Sequence, residues 1–382
     1  MSGTPEALRP ADEAQAADML AHAHGARTPL RIVGGGTRGG QTGNGVRISS
    51  SAMAGIVDYE PAELVMIVRA GTPMVVVEAA LDEHGQRLIF EPMDHRPLLG
   101  TEGEPTIGGA IAANVSGPRR FVAGAARDSL LGVRFVNAMG ETVKAGGRVM
   151  KNVTGLDLPK LMAGSHGTLG LLTEVSVKVW PKVETETTLV LPGLAAERAA
   201  QAMAAAMATS CEVTGAAHLP AGCDGIDGPA TCLRLEGFEA SVAMRVETLR
   251  KVLSGFATAD TVEGEDSDEL WRQVRDVTPL ADATDIPVWK VSVPPMSGPG
   301  LAAQVEGDAL FDWQGGLVWL RTHAAGATIR AAAERHGGHA TLVRGEADAP
   351  RFHPQAAPVE ALSRRVKAQF DPAGILPALS GT

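Results

Sequence analysis

The 382-residue sequence has few aromatic residues, an excess of acidic over basic side chains, and no long apolar run. Phe, Trp and Tyr together make up 4% of the chain, with one tyrosine, which argues against a base-stacking surface for nucleic acid. The formal net charge of −10 disfavours nucleic acid and anionic membranes as partners. Because no run of about 18 apolar residues is present, we expect no integral membrane segment.

Cysteine is also scarce. Cys211, Cys223 and Cys232 are too far apart for a CxxC zinc site or an iron–sulfur motif. An odd number of widely spaced cysteines fits reduced thiols, and the N-terminus lacks the basic and apolar segments of a secretory signal. We therefore expect a cytoplasmic protein, which partners could hold at the inner face of the membrane.

Glycine, in contrast, is abundant, with 45 residues, and many of these fall in two blocks. The first block, LRIVGGGTRGGQTGNG, covers residues 30–45 and opens with a short apolar strand. The second runs from Thr106 to Pro181 and contains TIGGAIAANVSGPRR and GSHGTLG. Glycine supplies positive φ and lets backbone amides approach an anion. Two such blocks therefore suit a chain that meets a long diphosphate cofactor at several points.

The first block allows several interpretations. Gly34, Gly36 and Gly39 match GxGxxG, but the glycines that follow disfavour the helix that a Rossmann loop requires. Gln41 stands where a P-loop has its lysine, which argues against nucleotide hydrolysis. Two alternatives remain: a glycine-rich turn without a ligand, or an irregular nest of amides around a pyrophosphate.

Periodicity and punctuation predict the element order. The predicted helices and strands cover 11–24, Leu30–Val33, Ile56–Glu60, Leu64–Arg69, Pro73–His84, Arg87–Phe90, Leu131–Asn137, Glu141–Ala145, Asp157–Ala163, Leu171–Val179, 195–209, Trp289–Val293, Leu317–Arg321, Thr341–Arg344 and Val359–Phe370. The composition changes after about residue 184, which indicates a separate domain. Residues 345–358 are rich in Pro and Ala and resemble a linker.

In order and spacing, the two glycine blocks resemble the FAD-binding domain of the vanillyl-alcohol oxidase / p-cresol methylhydroxylase (PCMH-type) superfamily, over roughly residues 30–181. A narrower resemblance covers nearly the whole chain. It is to the FAD-binding E subunits of bacterial glycolate oxidase, and it rests on GPRR at 117–120, GRVMKNV at 147–153, PVWK at 287–290 and FDPAGIL at 370–376. Pro377-Ala378-Leu379 replaces that family's terminal Asn-Pro-Gly, which leaves open how the C-terminus closes the cofactor domain.

The resemblance implies an α+β fold: a PCMH-type FAD-binding domain over 1–184, with subdomains of about 1–55 and 56–184, a reduced cap over 185–350, and a segment 351–382 that returns to the FAD domain. It also implies FAD contacts. These residues are Gly34, Gly35, Gly36, Thr37, Arg38, Gly39 and Gly40 at the pyrophosphate, Thr106, Gly108, Gly109, Ala113, Asn114 and Gly117 at the ribityl and isoalloxazine side, and Gly164, Thr168, Gly170 and Val175 at the adenosine or flavin edge. Covalent relatives carry a linking histidine beside the first loop. Residues 34–45 contain none, so we expect noncovalent FAD.

The implied function is that of an FAD-binding subunit in a complex that oxidises glycolate to glyoxylate. Its implied partners are a larger flavoprotein subunit and an iron–sulfur subunit, and its implied ligand is a small hydroxy acid. Two alternatives stay open: a self-sufficient FAD oxidase or dehydrogenase for another hydroxy acid or alcohol, and a structural subunit with a vestigial flavin site.

Catalytic residues are not evident in the sequence. The cap offers His218, His323, His336, His339 and His353, but not the paired histidine motifs of metal-bearing relatives, so we predict no metal site. His166 lies inside the second block and fits a structural role better than one at the flavin. Arg127, Arg148 and Lys151 are the cations nearest that block, and one of them could stabilise an anionic reduced flavin.

Overall fold

The computed structural model describes residues 7–38, 45–147 and 155–378. The α-helices in these ranges are α1 Glu13–Ala26, α2 Met74–Asp82, α3 Arg96–Leu99, α4 Ile107–Ala112, α5 Arg120–Ala123, α6 Ala126–Ser129, α7 Leu158–Met162, α8 Ala196–Met207, α9 Glu239–Leu253, α10 Gly264–Asp276, α11 Gly298–Ala302, α12 Gly326–Arg335 and α13 Ala357–Phe370. Short 3₁₀ turns cover Ser50–Ala52, Pro61–Glu63, Thr278–Leu280, Pro295–Ser297 and Trp313–Gly315.

The strands in the same ranges are β1 Leu30–Val33, β2 Val46–Ser49, β3 Ile56–Glu60, β4 Val65–Arg69, β5 Gln86–Arg87, β6 Leu130–Val136, β7 Thr142–Gly146, β8 Leu171–Lys178, β9 Trp180–Pro181, β10 Thr185–Pro192, β11 Gly215–Leu219, β12 Gly222–Cys223, β13 Ile226–Asp227, β14 Ala230–Gly237, β15 Asp260–Glu263, β16 Val288–Ser292, β17 Asp308–Asp312, β18 Leu317–Arg321 and β19 His339–Arg344. The mixture of helix and sheet confirms the predicted α+β class.

A five-stranded sheet in the order β3-β4-β8-β6-β7 forms the first layer of the structure. Its neighbouring strands are antiparallel, and Val175 and Val177 of β8 face a core that α2 and α4 cover with Val77, Leu81 and Ile111. Buried side chains alternate along the strands and recur at helical spacing along α2, so both sets pack in this core. The sheet thereby fixes α4, whose N-terminal residues approach the first glycine loop.

A smaller unit packs beside this sheet. Strands β1 and β2 pair in parallel, and Leu20 of α1 is buried with Leu30, Ile375 and Leu376. The Leu30 amide donates to the Ile375 carbonyl oxygen at 2.7 Å. The chain therefore returns, after α13, to the strand that leads into the first glycine loop.

An eight-stranded sheet in the order β15-β10-β14-β11-β17-β18-β16-β19 contains eight of the ten described strands between Thr185 and Arg344, and its pairs are antiparallel. The other two, β12 and β13, pair with each other. On β16, Trp289 and Val291 point into a core that Ile329 of α12 completes. Because strand side chains alternate, Lys290 and Ser292 take the opposite face. Near residue 184 the chain passes from the region of the five-stranded sheet to the eight-stranded sheet, in the region where the composition changes. The domain boundaries themselves stay a prediction.

Most of the predicted elements are confirmed within one to three residues at their ends. The predicted strand Arg87–Phe90 is wrong beyond Arg87, because the chain turns at Glu91, whose φ is 47°. Leu88 and Phe90 are buried there, so their apolar character reflects core packing rather than pairing. No helix in the described ranges combines the length and apolar character needed to cross a bilayer.

Candidate cofactor site

A cavity of about 580 Å³ lies between the first glycine loop, α4 and the face of β16, β18 and β19. Residues 349–352 and Pro377-Ala378 complete its wall, so the segment predicted as a linker and the altered C-terminal motif both contribute to it. No Asp or Glu is found among the described residues that line this cavity, whereas Arg38, Lys290 and Arg351 do line it. In a chain of net charge −10, this cavity is suited to an anionic ligand.

The glycine loop needs glycine because the backbone of the second block passes very close to it. A Cβ on Gly35 would lie 1.6 Å from the Glu104 carbonyl oxygen, and one on Gly34 would lie 2.5 Å from Thr106 Oγ1. Gly36 has φ +79°, which favours glycine for conformational reasons. The loop therefore presents bare backbone to the cavity, as a diphosphate site requires.

Arg38 gives this wall its charge. Its Nε is buried and donates to no acceptor in the part of the chain that the structure describes. A Cβ on Gly109 would lie only 2.8 Å from Arg38 Nη1, so the guanidinium of Arg38 lies close to α4. Burial lowers the pKa of Arg38 to about 10, and Asp94 opposes this effect. A buried donor without an acceptor next to a glycine loop fits the pyrophosphate of FAD.

The opposite wall is one face of the eight-stranded sheet. Lys290 pairs in register with Trp319 of β18 and with Thr341 of β19, and all three line the cavity. Ser292 and His339, which are also paired, lie one row further along the same face. Burial, with help from the charge of Arg120, lowers the pKa of Lys290 to about 8. Lys290 therefore remains largely protonated at neutral pH.

Three histidines in the cavity are neutral. Burial, followed by the charges of Arg38 and Lys290, lowers the pKa of His95 to about 3. Burial and neighbouring cations, Arg351 first, lower the pKa of His166 to about 4. The pKa of His339 is also lowered, by burial and then by His353. Because these rings carry no charge near pH 7, the positive charge of the described cavity lining comes from Arg38, Lys290 and Arg351.

The hydrogen bond of His95 fixes its tautomer. His95 Nδ1 lies 3.2 Å from the Met93 carbonyl oxygen, which can only accept. Nδ1 therefore carries the proton and Nε2 keeps a lone pair. His95 is a hydrogen-bond acceptor in the cavity, placed there by the loop that leads into α3.

The structure brings together a large part of the predicted site. The predicted residues that line the cavity are Gly34, Gly35, Gly36, Thr37, Arg38, Gly108, Gly109, Ala113 and Gly170. Gly39 and Gly40 lie outside the described residues, as do the candidate cations Arg148 and Lys151.

The other described residues of the predicted site do not line the cavity. Thr106 caps α4, and its Oγ1 accepts from the Gly109 amide at 3.2 Å. Asn114 Oδ1 accepts from the Arg127 amide, and Thr168 Oγ1 donates to the Ser165 carbonyl. Gly164 packs near Asn114, Gly117 packs against Glu91, and Val175 belongs to the core of the smaller sheet. These residues support the walls, and their contact with FAD stays a prediction.

Several lining residues were not identified from the sequence. The sequence marks Lys290 only through the PVWK motif. A single lysine between two buried apolar residues of a strand is a further feature that indicates a functional side chain there. His95 lies in an irregular loop that carries no such signal. His166, for which a structural role was favoured, does line the cavity, where its ring is 5.1 Å from that of Phe352. Arg127 is instead largely exposed and lies 3.7 Å from Asp128.

Of the cap histidines, His339 and His353 are neighbours, with ring centroids 6.4 Å apart. His218 bonds Thr231 Oγ1 at 3.0 Å, and His353 lies 3.2 Å from Glu334, while only His339 of this set reaches the cavity. The described ranges contain no group of three or more His, Cys, Asp or Glu side chains that could hold a metal ion.

Comparison with curated sequences gives a match along almost the entire chain. The glycolate oxidase subunit GlcE of Escherichia coli K12 is 34% identical over 371 residues, which is 96% of this chain and 97% of that protein. The glycolate oxidase subunit GlcD of Bacillus subtilis is 32% identical over 216 residues, which is 56% of this chain and 43% of GlcD.

Comparison with solved structures supports the fold. A 4-ethylphenol oxidase from Gulosibacter chungangensis superposes with a TM-score of 0.71 at 12% identity, over 96% of this chain and 87% of that one. An alkyldihydroxyacetonephosphate synthase superposes with a TM-score of 0.67 at 16% identity, over 96% and 74%. Residues 6–146 match the family model described as FAD binding domain. The chain therefore belongs to the GlcE family of glycolate oxidase subunits, and FAD is its cofactor.

Proposed function

We propose that this chain is the FAD-binding subunit of a glycolate oxidase and that it takes part in the oxidation of glycolate to glyoxylate. The observation that carries the proposal is the match to GlcE, because it spans both the glycine blocks and the larger sheet that covers them. A match confined to the FAD-binding domain would support the cofactor alone. Bound FAD would supply the acceptor for two electrons from the hydroxy acid.

The contacts with FAD form part of this proposal. Arg38 and the loop 34–40 would hold the pyrophosphate, because this wall combines bare backbone with a buried donor that lacks an acceptor in the described chain. Gly108, Gly109 and Ala113 would line the path toward the isoalloxazine, and Gly170 the flavin edge. The face of β16, β18 and β19 lies across the cavity from these glycines.

The partners belong to the proposal as well. We propose a larger flavoprotein subunit and an iron–sulfur subunit, since electrons that leave the flavin of this chain need a further carrier. The three cysteines are free thiols, two of them buried, and their spacing suits no cluster. We propose a GlcD-type subunit as the flavoprotein partner, because GlcE and GlcD are both named as glycolate oxidase subunits.

Reconstitution tests this proposal. The chain is co-expressed with GlcD-type and iron–sulfur subunits from the same source, and anaerobic reduction of an electron-accepting dye by glycolate is measured. We expect activity that requires all three components and that is lost when this chain is omitted. Full activity without this chain would contradict the proposal, and rapid turnover by this chain alone would favour a self-sufficient oxidase.

A further inference from the structure

Lys290 is a cation in the cavity that lacks a counter-ion. Within the described part of the chain, no carboxylate lies within ion-pair distance of its ammonium, and no side-chain hydrogen bond holds it. Its Nζ lies instead 5.4 Å from the ring centroid of Trp313 and 5.7 Å from that of Trp319. Indole faces attract an ammonium ion but do not neutralise it.

Two other buried cations, Arg119 and Arg234, are each paired with a carboxylate. Arg119 donates to Glu236 at 2.6 Å and Arg234 donates to Glu91 at 3.0 Å, so each has a carboxylate at hydrogen-bond distance. Asp312 is the acid that influences Lys290, but burial raises its pKa to about 7, and its Oδ1 accepts from the Trp313 amide. A charge removed from water needs a partner. Among the described residues, no carboxylate takes the role of that partner for Lys290.

His95 shares this cavity with Lys290. Its Nε2 is an acceptor, because Nδ1 donates to Met93, and no described residue donates to Nε2. Both residues line the cavity, and burial, the charge of Arg38 and then that of Lys290 lower the pKa of His95. A ligand between them would meet a positive charge at one end and a hydrogen-bond acceptor at the other. A small molecule with a carboxylate and an adjacent hydroxyl has this pattern.

We propose that Lys290 and His95 form a subsite for a small hydroxy carboxylate, in which Lys290 Nζ binds the carboxylate and His95 Nε2 accepts the hydrogen bond of the hydroxyl. This inference rests on the proposed function and assigns the substrate contacts to this chain. The indoles of Trp313 and Trp319 restrict the space beside the ammonium, which favours a short acid over a long one.

The first test separates charge from shape. Acetate and acetamide have nearly the same size, and only acetate is charged. Each is titrated into the FAD-loaded chain, and binding is read from the flavin absorbance and from tryptophan fluorescence. We expect acetate to bind and acetamide to bind at least about tenfold more weakly, a factor that corresponds to about 1.4 kcal/mol. Equal binding of the two, or an equal response to the same concentration of chloride, would overturn the proposal.

Three variants identify the cation. Lys290→Met should weaken acetate binding at least about tenfold while the chain still takes up FAD, and Lys290→Arg should retain most of the affinity because it keeps the charge. Lys178→Met is the matched control, since Lys178 also lies over an indole, 4.7 Å from the Trp180 ring, but outside the cavity. Unchanged acetate affinity in Lys290→Met would refute the subsite. Failure of the wild-type chain to take up FAD would instead refute the proposed function.

A second pair of titrations tests His95. Glycolate adds a hydroxyl to acetate, and its binding is read by stopped-flow in the oxidised flavin spectrum before any bleaching. We expect glycolate to bind more tightly than acetate in the wild-type chain. His95→Leu should abolish that preference, and His95→Gln, which offers an acceptor at a similar position, should restore part of it. A preference of wild-type size in His95→Leu would remove His95 from the subsite.

Discussion

Arg119 donates two hydrogen bonds to Glu236, from Nη2 to Oε1 at 2.6 Å and from Nε to Oε2 at 2.9 Å. Arg119 lies within the second glycine block, and Glu236 belongs to β14 of the larger sheet. Glu91 accepts from Arg119 and from Arg234 and extends the pair into a buried cluster. The cluster joins β14 of the larger sheet to the loops at Glu91 and Arg119, and we expect it to hold the two walls of the cavity together.

We predict that Arg119→Met strongly destabilises the chain. It leaves Glu236 and Glu91 buried with fewer cations, and breaking such a pair typically costs about 3–5 kcal/mol. Denaturant unfolding measures this effect. The control is Arg250→Met, which removes an exposed pair with Glu247 and should change the free energy of unfolding by less than about 1 kcal/mol. Equal effects of the two substitutions would show that the cluster does not hold the walls together.

The same cluster predicts an acid dependence. Although burial alone would raise it, the pKa of Glu236 lies well below its ordinary value because of the Arg119 hydrogen bond and the charges of Arg234 and Arg119. The pKa of Glu91 is lowered as well. A depressed carboxyl pKa stabilises the fold above the ordinary value of about 4.5 and loses that contribution as the pH falls below it. Unfolding free energies measured from pH 7 downward should fall more steeply in the wild type than in Arg119→Met.

Arg38→Gln should weaken FAD binding. Removing a charge-assisted hydrogen bond costs about 1.5–3 kcal/mol, which corresponds to roughly a 10- to 150-fold rise in the dissociation constant. Fluorescence titration of the apoprotein with FAD measures this constant. Arg127→Gln is the matched control, because Arg127 is exposed and does not line the cavity. A stronger effect of Arg127→Gln than of Arg38→Gln would move the pyrophosphate away from the first glycine loop.

Gly109→Ala should separate FAD affinity from stability. Alanine is the better helix former by about 1 kcal/mol, so α4 should not be weakened, but the new Cβ would lie 2.8 Å from Arg38 Nη1 and displace it. We expect weaker FAD binding without a lower melting temperature. Gly25→Ala is the control, because a Cβ there meets nothing within 4 Å, and this variant should keep full FAD affinity.

Acetate affinity should decrease as the pH rises through about 8, the pKa of Lys290, because only the protonated ammonium attracts the anion. Among the other groups that face Lys290, Asp312 ionises near pH 7, and its negative charge also weakens acetate binding as the pH rises. Arg120 stays charged across this range, and the cavity histidines are already neutral. Titrations across this range test the prediction. Lys290→Arg should bind acetate well above pH 8, and an equally steep loss in that variant would exclude Lys290 as the source.

The sequence predicts the FAD-binding half of this protein better than its cap. Glycines such as Gly34 and Gly35 are dictated by close backbone approach, and this requirement is visible in the local pattern. Lys290 and His95 come to line one cavity only when the larger sheet folds over the loops. That juxtaposition depends on the Arg119 cluster, whose members come from three distant segments. Charged residues such as Glu91 and Arg234 look like surface residues in a sequence, and their burial follows from tertiary pairing alone.

Release of the cofactor tests the central claim most directly. The purified chain is loaded with FAD, freed of excess by gel filtration and precipitated with acid, and flavin absorbance is measured in the supernatant and in the pellet. The account predicts stoichiometric FAD before precipitation and all of the yellow colour in the supernatant afterwards, since residues 34–45 contain no histidine to link it. A chain that stays colourless after loading, or flavin that remains in the pellet, would contradict it.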